Sequence, residues 1–221
     1  MGKYRIKIKL LTEAIFGSGN SIPSSVDLEI THDEYGFPFM KAKTFKGNFR
    51  KAVTNVAELL SPGECKAVID NLLGKENDGV NSWKNIRFTD CMLNENVREI
   101  LAFKVRNGTL TESEIKEALT DIRSFTSIDD NGSYEEGSLR DIRVIKKGLE
   151  FYVDLNVYRE LSEKELGLLA TACRYMKHIG SMKTRGKGEV DCSFLVCEEG
   201  KYADKTDVFM NKFLKGVKAN G

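Results

Sequence analysis

Apolar and polar positions alternate one for one near the head of the chain, where Tyr4, Ile6, Ile8 and Leu10 stand between Lys3, Arg5, Lys7 and Lys9. A period of two puts every second side chain on one face, so the stretch predicts a half-buried strand. Phe16 to Ser25 is rich in Gly, Ser and Asn and predicts a loop. Val26, Leu28 and Ile30 alternate with Asp27, Glu29 and Thr31 and predict a short strand, followed by a hairpin turn at Asp33–Gly36 ahead of Phe37-Pro-Phe-Met40. The period then changes. Phe45, Phe49, Val53, Val56 and Leu60 recur at helical spacing, with Thr44 as the expected N-cap. Ser61-Pro-Gly-Glu64 has the form of a capping box with Pro at the first position and restarts a helix that ends before Gly74. Trp83 to Leu93 predicts a second core strand, and Leu149 to Val157 alternates again. Ser162-Glu-Lys-Glu165 opens a helix whose stripe is Leu166, Leu169, Ala170, Cys173 and Met176. A strand from Glu189 to Cys197 and a short helix around Asp204 to Leu214 complete the pattern.

The core order is β-α-β-β-α-β, which predicts an α+β protein with a ferredoxin-like (RRM-like) core. Residues 1–221 read as a single domain with an inserted segment at about 94–147. That insertion holds a helix starting at Thr111-Glu-Ser-Glu114 and a charged stretch, Arg123 to Gly137, expected to protrude as a hairpin. Such a fold hosts many activities and names none of them.

Composition narrows the class. Hydrophobic residues make up 41% and charged residues 30% of the 221, ordinary values for a globular protein. No apolar run approaches the roughly 20 residues needed to span a bilayer. The alternating N-terminal stretch lacks a signal peptide's continuous apolar region, so a cytoplasmic location without a membrane partner is expected. Five scattered cysteines without CxxC spacing predict reduced, mostly buried thiols. Two histidines, His32 and His178, are too few for a zinc site without cysteine pairs.

Net charge is only +1, but its distribution is uneven. Lys41, Lys43, Lys46, Arg50 and Lys51 form one acid-free block; Arg174, Lys177, Lys183, Arg185 and Lys187 form another. Two basic patches on a neutral body suit a polyanion track. Gly180 to Gly188 holds Gly180, Gly186 and Gly188 with Lys183, Arg185 and Lys187 and no acid. Exposed amides beside cations suit phosphate oxygens, although the same loop also serves as a plain helix-to-strand turn. Gly47, early in the first helix, costs about 1 kcal/mol against alanine; close approach of a phosphate to the first turn rationalises it, and an amphipathic helix with solvated cations is the plainer alternative. Asp27 reads either as the outward residue of a strand or as a carboxylate holding a divalent cation near a scissile phosphate. His32 reads as a turn residue or as an acid or base. Phe125 and Ile128 on the inserted hairpin read as surface residues or as apolar contacts to bases.

Together these residues resemble a known family. Gly180 to Val190 resembles the Gly-rich loop of the RAMP superfamily of CRISPR-associated RNA-binding proteins. Gly36, Pro38, Lys46, Gly47 and Arg50 resemble the opening of that family's first helix, and Arg87-Phe-Thr-Asp90 its strand ending in aspartate. Ile128, Asp129, Gly132, Gly137 and Leu139 resemble the thumb hairpin of type III backbone subunits. The resemblance implies a subunit that holds the backbone of a guide CRISPR RNA through Lys43, Lys46, Gly47, Arg50, Gly180, Lys183, Arg185, Gly186, Lys187 and Gly188. Its thumb, with Arg123, Phe125, Ile128 and Asp129, would intrude between guide and target RNA. The resemblance also implies copies of the chain in a filament beside other effector subunits. In cleaving members an aspartate cuts target RNA with Mg2+ or another divalent cation, and Asp27 matches it, although Leu28-Glu29 stands where Asn-Pro is common. Three other readings accompany this one: a non-cleaving structural binder, a metal-independent guide-processing ribonuclease of the same superfamily using His32, and an unrelated ferredoxin-like domain.

Overall fold

A computed structural model describes residues 3–21, 26–60, 65–75, 85–126 and 137–219. The first strand, β1 (Tyr4–Leu10), lies at the centre of an antiparallel sheet, between β6 (Glu150–Val157) and β7 (Val190–Glu198). Outside these, β2 (Ile86–Phe88) pairs with β6 and β8 (Lys201–Asp204) with β7, giving the order β2-β6-β1-β7-β8, and β3 (Met92–Leu93) also pairs with β6. The alternation in β1 does what its period demands. Tyr4, Ile6, Ile8 and Leu10 are buried beside Phe151, Val153 and Phe194, while Arg5 and Lys7 stand on the other face. There Arg5 pairs Asp154 through two N–H bonds of 2.6 and 2.9 Å and lies over the Tyr202 ring.

The buried face packs on two helices, α1 (Ala42–Leu60) and α5 (Glu163–Tyr175), which also touch each other. Phe45, Phe49, Val53 and Val56 of α1 are buried, and Phe45 and Phe49 meet the Phe88 ring edge-on. α5 opens on the expected capping box, with Ser162 and Glu165 exchanging both bonds, and Arg159 pairs the same glutamate. A second short helix, α2 (Cys65–Leu73), stops where Gly74 takes a φ of +78°. The last helix, α6 (Thr206–Ala219), lies on α5 at Gly167, where a Cβ would meet Phe213 at 2.4 Å.

Between β3 and β6 the chain leaves the main sheet. It forms α3 (Glu95–Arg106), α4 (Glu112–Leu119) and a hairpin of β4 (Thr120–Phe125) with β5 (Arg140–Ile145). The Thr111/Glu114 capping box starts α4 as its sequence predicts.

Several expectations need correction. Helix α1 begins at Ala42, two residues before Thr44, because the Asp90 carboxylate reaches across from the β2–β3 bend and accepts the Ala42 N–H at 2.6 Å. Trp83 to Leu93 is not one strand. Trp83 lies outside the described residues, and the chain bends at Thr89–Asp90 so that Cys91 can pair with Met40 while Asp90 caps the helix. Residues 26–30 make isolated bridges rather than a strand, Ile30 to Gly17 and Leu28 to Ile142, since each side of the segment faces a different neighbour. The Ser61–Glu64 capping box and the tip residues Ile128, Asp129 and Gly132 lie outside the described residues. Strand β8 and helix α3 were not expected, and the last helix runs five residues past Leu214 to Ala219.

Of the five cysteines, Cys91, Cys173 and Cys192 are buried and unpaired. Burial pushes their thiols up, Cys192 to about 12, so they sit as inert apolar groups. No helix among the described residues is long and apolar enough to cross a membrane.

Candidate nucleic-acid interface

The Gly-rich loop closes on itself at its neck. Ile179 N–H donates to Gly188 O at 2.8 Å and Val190 N–H to Lys177 O at 2.9 Å, leaving a short 3-10 turn, Lys183–Arg185, at the tip. Its body rests on residues 13–16: Ser181 N–H donates to Ile15 O and Gly188 N–H to Glu13 O. Two of its glycines are required by this packing. At φ +72°, a Cβ on Gly188 would lie 1.9 Å from Ile179 O; at φ +83°, one on Gly180 would lie 2.5 Å from Ile15 O. Gly186, at φ +71°, and Gly47, on α1, face open space.

The loop meets α1 at Lys183. Lys183 Nζ donates to Asn48 Oδ1 at 2.6 Å, and Asn48 is held in turn by its amide bond to Thr44 O. The end of Lys183 loses water there and lies near Lys51, and both effects hold its ammonium below the ordinary lysine range. The two basic stretches therefore converge in space, but on a different flank of α1 from the one expected. A helix turns about 100° per residue, which puts Asn48 and Lys51 on one side of the exposed Gly47 and Lys46 and Arg50 on the other. Arg50 turns from the loop toward α2, pairing Asp70 at 2.8 Å and donating to Gly74 O. Lys46 is 9% exposed, and burial, then the neighbouring Arg50, holds its ammonium low. Lys43, Lys51 and Arg185 stay exposed, with side chains making no hydrogen bond or ion pair among the described residues.

The loop's apparent lack of acid is made good from elsewhere. Glu13 takes Lys187 Nζ on Oε2 at 2.6 Å and two Arg123 N–H groups on Oε1 at 2.7 and 2.9 Å. Arg123, then burial, then Lys187 act on this carboxyl, and the two cations hold it below the usual carboxylate range. One carboxylate thus ties the loop to β4 of the β4–β5 hairpin. Phe125 is half-buried against the core with Lys187 over its ring at 5.7 Å, so it braces this junction and is not a free wedge. In the second basic block, Arg174 is held by Asp207 and Asp191.

Asp27 stands exposed beside the same hairpin. Its amide donates to Asp141 O, and Asp141 N–H donates back to Asp27 Oδ2, both at 2.7 Å. Oδ1 makes no hydrogen bond among the described residues. No group of three or more His, Cys, Asp or Glu side chains suited to a metal occurs among the described residues. A Mg2+ ion commonly takes only one or two carboxylates and fills its other positions with water and substrate phosphates. Asp27, with Asp141 next to it, fits that donor set.

Behind Asp27 lies a buried ion network that sequence spacing did not reveal. Glu29, 4% exposed, accepts from Arg143 at 3.1 Å, Lys116 at 3.1 Å and its neighbouring Ile30 amide at 2.9 Å. Lys116 also sits 3.3 Å from His32 Nε2. An ammonium only donates, so Nε2 accepts, and Nδ1–H faces Asp33 O at 3.2 Å. His32 is thus committed to a structural contact on both ring nitrogens.

Comparison with known proteins places this arrangement. The sequence profile of the RAMP superfamily matches residues 7–191. The chain belongs to the RAMP superfamily. Two solved chains share its fold. One belongs to a type III-B Cmr-beta complex bound to cognate target RNA, with a TM-score of 0.63, 15% identity, and coverage of 86% of this chain and 96% of the other. The second comes from the apo state of Cmr-beta, with a TM-score of 0.61, 15% identity, and coverage of 92% and 98%. No curated protein matches the sequence. In this RAMP chain the Gly-rich loop rests on residues 13–16 beyond β1, against α1 and β4.

Proposed function

We propose that this RAMP protein is a guide-RNA-binding backbone subunit of a type III RNA-guided effector complex, copied along the guide in a filament beside other effector subunits. The observation that carries the reading is the Lys183–Asn48 bond, which brings the Gly-rich loop and the open crest of α1 at Gly47 onto one surface. Lys183, Lys51, Lys43 and Arg185 would meet guide phosphates there, and the glycine-lined crest lets backbone approach them. Lys46 and Arg50 shape that surface from its far flank. The core reads as ferredoxin-like, two split β-α-β units with every sheet neighbour antiparallel, and residues 1–221 read as one domain carrying the 94–147 insertion.

We assign target cleavage to Asp27. Its Oδ1, which makes no hydrogen bond among the described residues, would hold the divalent cation with Asp141 beside it. When bound, such an ion polarises a phosphate and neutralises the charge that develops on it. Asp141 N–H fixes the Asp27 carboxylate against the hairpin, so the guide–target pair that the hairpin meets is presented to it. Asp27→Ala is expected to abolish cutting of a guide-complementary RNA in Mg2+ while guide binding stays within about twofold, because Asp27 is exposed and its carboxylate holds a single N–H among the described residues. Cleavage assays with Mg2+ and with EDTA on the assembled protein check this; wild-type cutting by Asp27→Ala ends the assignment and leaves a non-cleaving binder. Cutting that persists in EDTA would instead favour the processing reading, which the engaged ring of His32 speaks against.

A further inference from the structure

A cleft of about 600 Å³ opens where the edge of the sheet meets the start of α1, lined by Ala42, Arg87, Phe88, Thr89, Asp90, Asn156 and Tyr158. It lies apart from the Gly-rich loop. The β2–β6 register sets its floor: Arg87 pairs directly with Asn156, so both project from one face, and Tyr158, just past the end of β6, lines the cleft beside them. Each is left over by the fold. Arg87 and Asn156 are exposed, Tyr158 is 63% exposed, and none of the three side chains has a hydrogen bond, ion pair or ring contact among the described residues. One rim is the Asp90 carboxylate, whose Oδ1 caps Ala42 while Oδ2 makes no hydrogen bond among the described residues.

Resting on the RNA-binding reading above, we propose that this cleft holds one unpaired nucleotide of the bound strand, its base on the Tyr158 ring and its phosphate on Arg87. A guanidinium, an aromatic face and an amide on one surface match phosphate, base face and base edge respectively. A pocket of this volume lies within the range of small-ligand sites. Asp90 Oδ2, an acceptor with no donor among the described residues, suits a ribose hydroxyl or an exocyclic amine. Continuity favours a strand over a free nucleotide. Ala42 at the cleft and Asn48 at the Lys183 contact are six residues apart on one helix, about 9 Å along its axis. The exposed Lys43 and Gly47 lie between them. Arg87 and Asn156 project from the sheet face opposite α1, and β2 is the edge strand, so a single chain running from the loop along α1 would round that edge to enter the cleft.

The test uses full-length protein and a fluorescein-labelled single-stranded RNA, with anisotropy read at 50 mM salt. Tyr158→Ala is expected to weaken binding about tenfold, the scale of one base stacked on a ring, and Tyr158→Phe to bind as wild type does. Arg87→Gln should weaken binding and lower the salt dependence by one phosphate contact. RNA carrying 5-iodouracil should photo-cross-link to Tyr158. Wild-type affinity in Tyr158→Ala, without a cross-link there, overturns the cleft assignment and leaves the RNA-binding reading intact. Failure of the wild-type protein to bind the RNA overturns both. If adenosine monophosphate competes as strongly as the labelled strand, the cleft belongs to a free nucleotide and the strand proposal is wrong. All three residues are exposed, so thermal melting within about 2 °C of wild type is expected and separates lost binding from lost folding.

Discussion

Glu29→Ala is expected to destabilise the protein by about 3–5 kcal/mol, the cost of leaving buried charges without their partner. The carboxylate is the common acceptor for Arg143, Lys116 and the Ile30 amide, and its side chain is only 5% exposed. Without it, Arg143 keeps the Thr120 hydroxyl and Lys116 keeps His32, neither of which carries a compensating charge. The effect carries a pH signature. Burial alone would raise the Glu29 carboxyl, but the Ile30 amide, Lys116 and Arg143 outweigh it and hold the group below the usual carboxylate range. A depressed folded-state value means the stabilisation is fully present above the unfolded carboxyl's range near pH 4.3 and is lost as pH falls through the lower, folded value. Urea denaturation at pH 7 should show the deficit of Glu29→Ala. As pH falls below the unfolded carboxyl's range the gap to wild type should narrow. A gap below about 1 kcal/mol at pH 7 would mean that the network contributes little.

Gly188→Ala is the second large effect. A residue other than glycine at positive φ costs about 1–2 kcal/mol, and at Gly186, which faces open space, that is the whole expected penalty. At Gly188 the new Cβ would also collide with Ile179 O at 1.9 Å, a backbone atom that cannot move without opening the loop's neck. Both hydrogen bonds of Gly188, to Ile179 N–H and to Glu13 O, lie at that neck. The loss at Gly188 should therefore exceed the loss at Gly186 by at least about 2 kcal/mol. The Lys183 contact to Asn48 should loosen with it, and RNA binding should fall even where the protein remains folded. Paired thermal melts of the two variants check the ordering; equal losses would mean that the neck is not closed.

The sequence was informative where a contact is local. The Ser162 and Thr111 capping boxes, the alternation in β1 and β6, and the stripes of α1 and α5 each need only neighbours within a few residues, and each formed as its pattern predicts. It misled where a distant partner decides. Thr44 looked like a cap because no local pattern announces a carboxylate 48 positions away at Asp90. Helix α3 escaped notice because its Val97, Ile100 and Phe103 are exposed, so its apolar residues do not form a single buried stripe. The candidate site follows the same rule. That the Gly-rich loop and α1 would meet was legible from two acid-free basic stretches. That Asn48 and Lys51 would face the loop, and that Arg50, Lys187 and Arg123 would be held by Asp70 and Glu13, depended on tertiary packing. The roles of the glycines were legible only in part, since Gly180 and Gly188 serve the fold and Gly47 and Gly186 remain open.

The surface shared by Lys183, Asn48 and Lys51 is the centre of the account, and salt titration of RNA binding tests it most directly. Affinity of the full chain for single-stranded RNA should fall with salt, with a log–log slope of about 0.7 per phosphate held. The Lys183→Ala/Lys51→Ala pair should lower that slope by about 1 to 1.5 and weaken binding at 50 mM salt at least about tenfold. A slope and affinity in the double variant equal to those of wild type would contradict it.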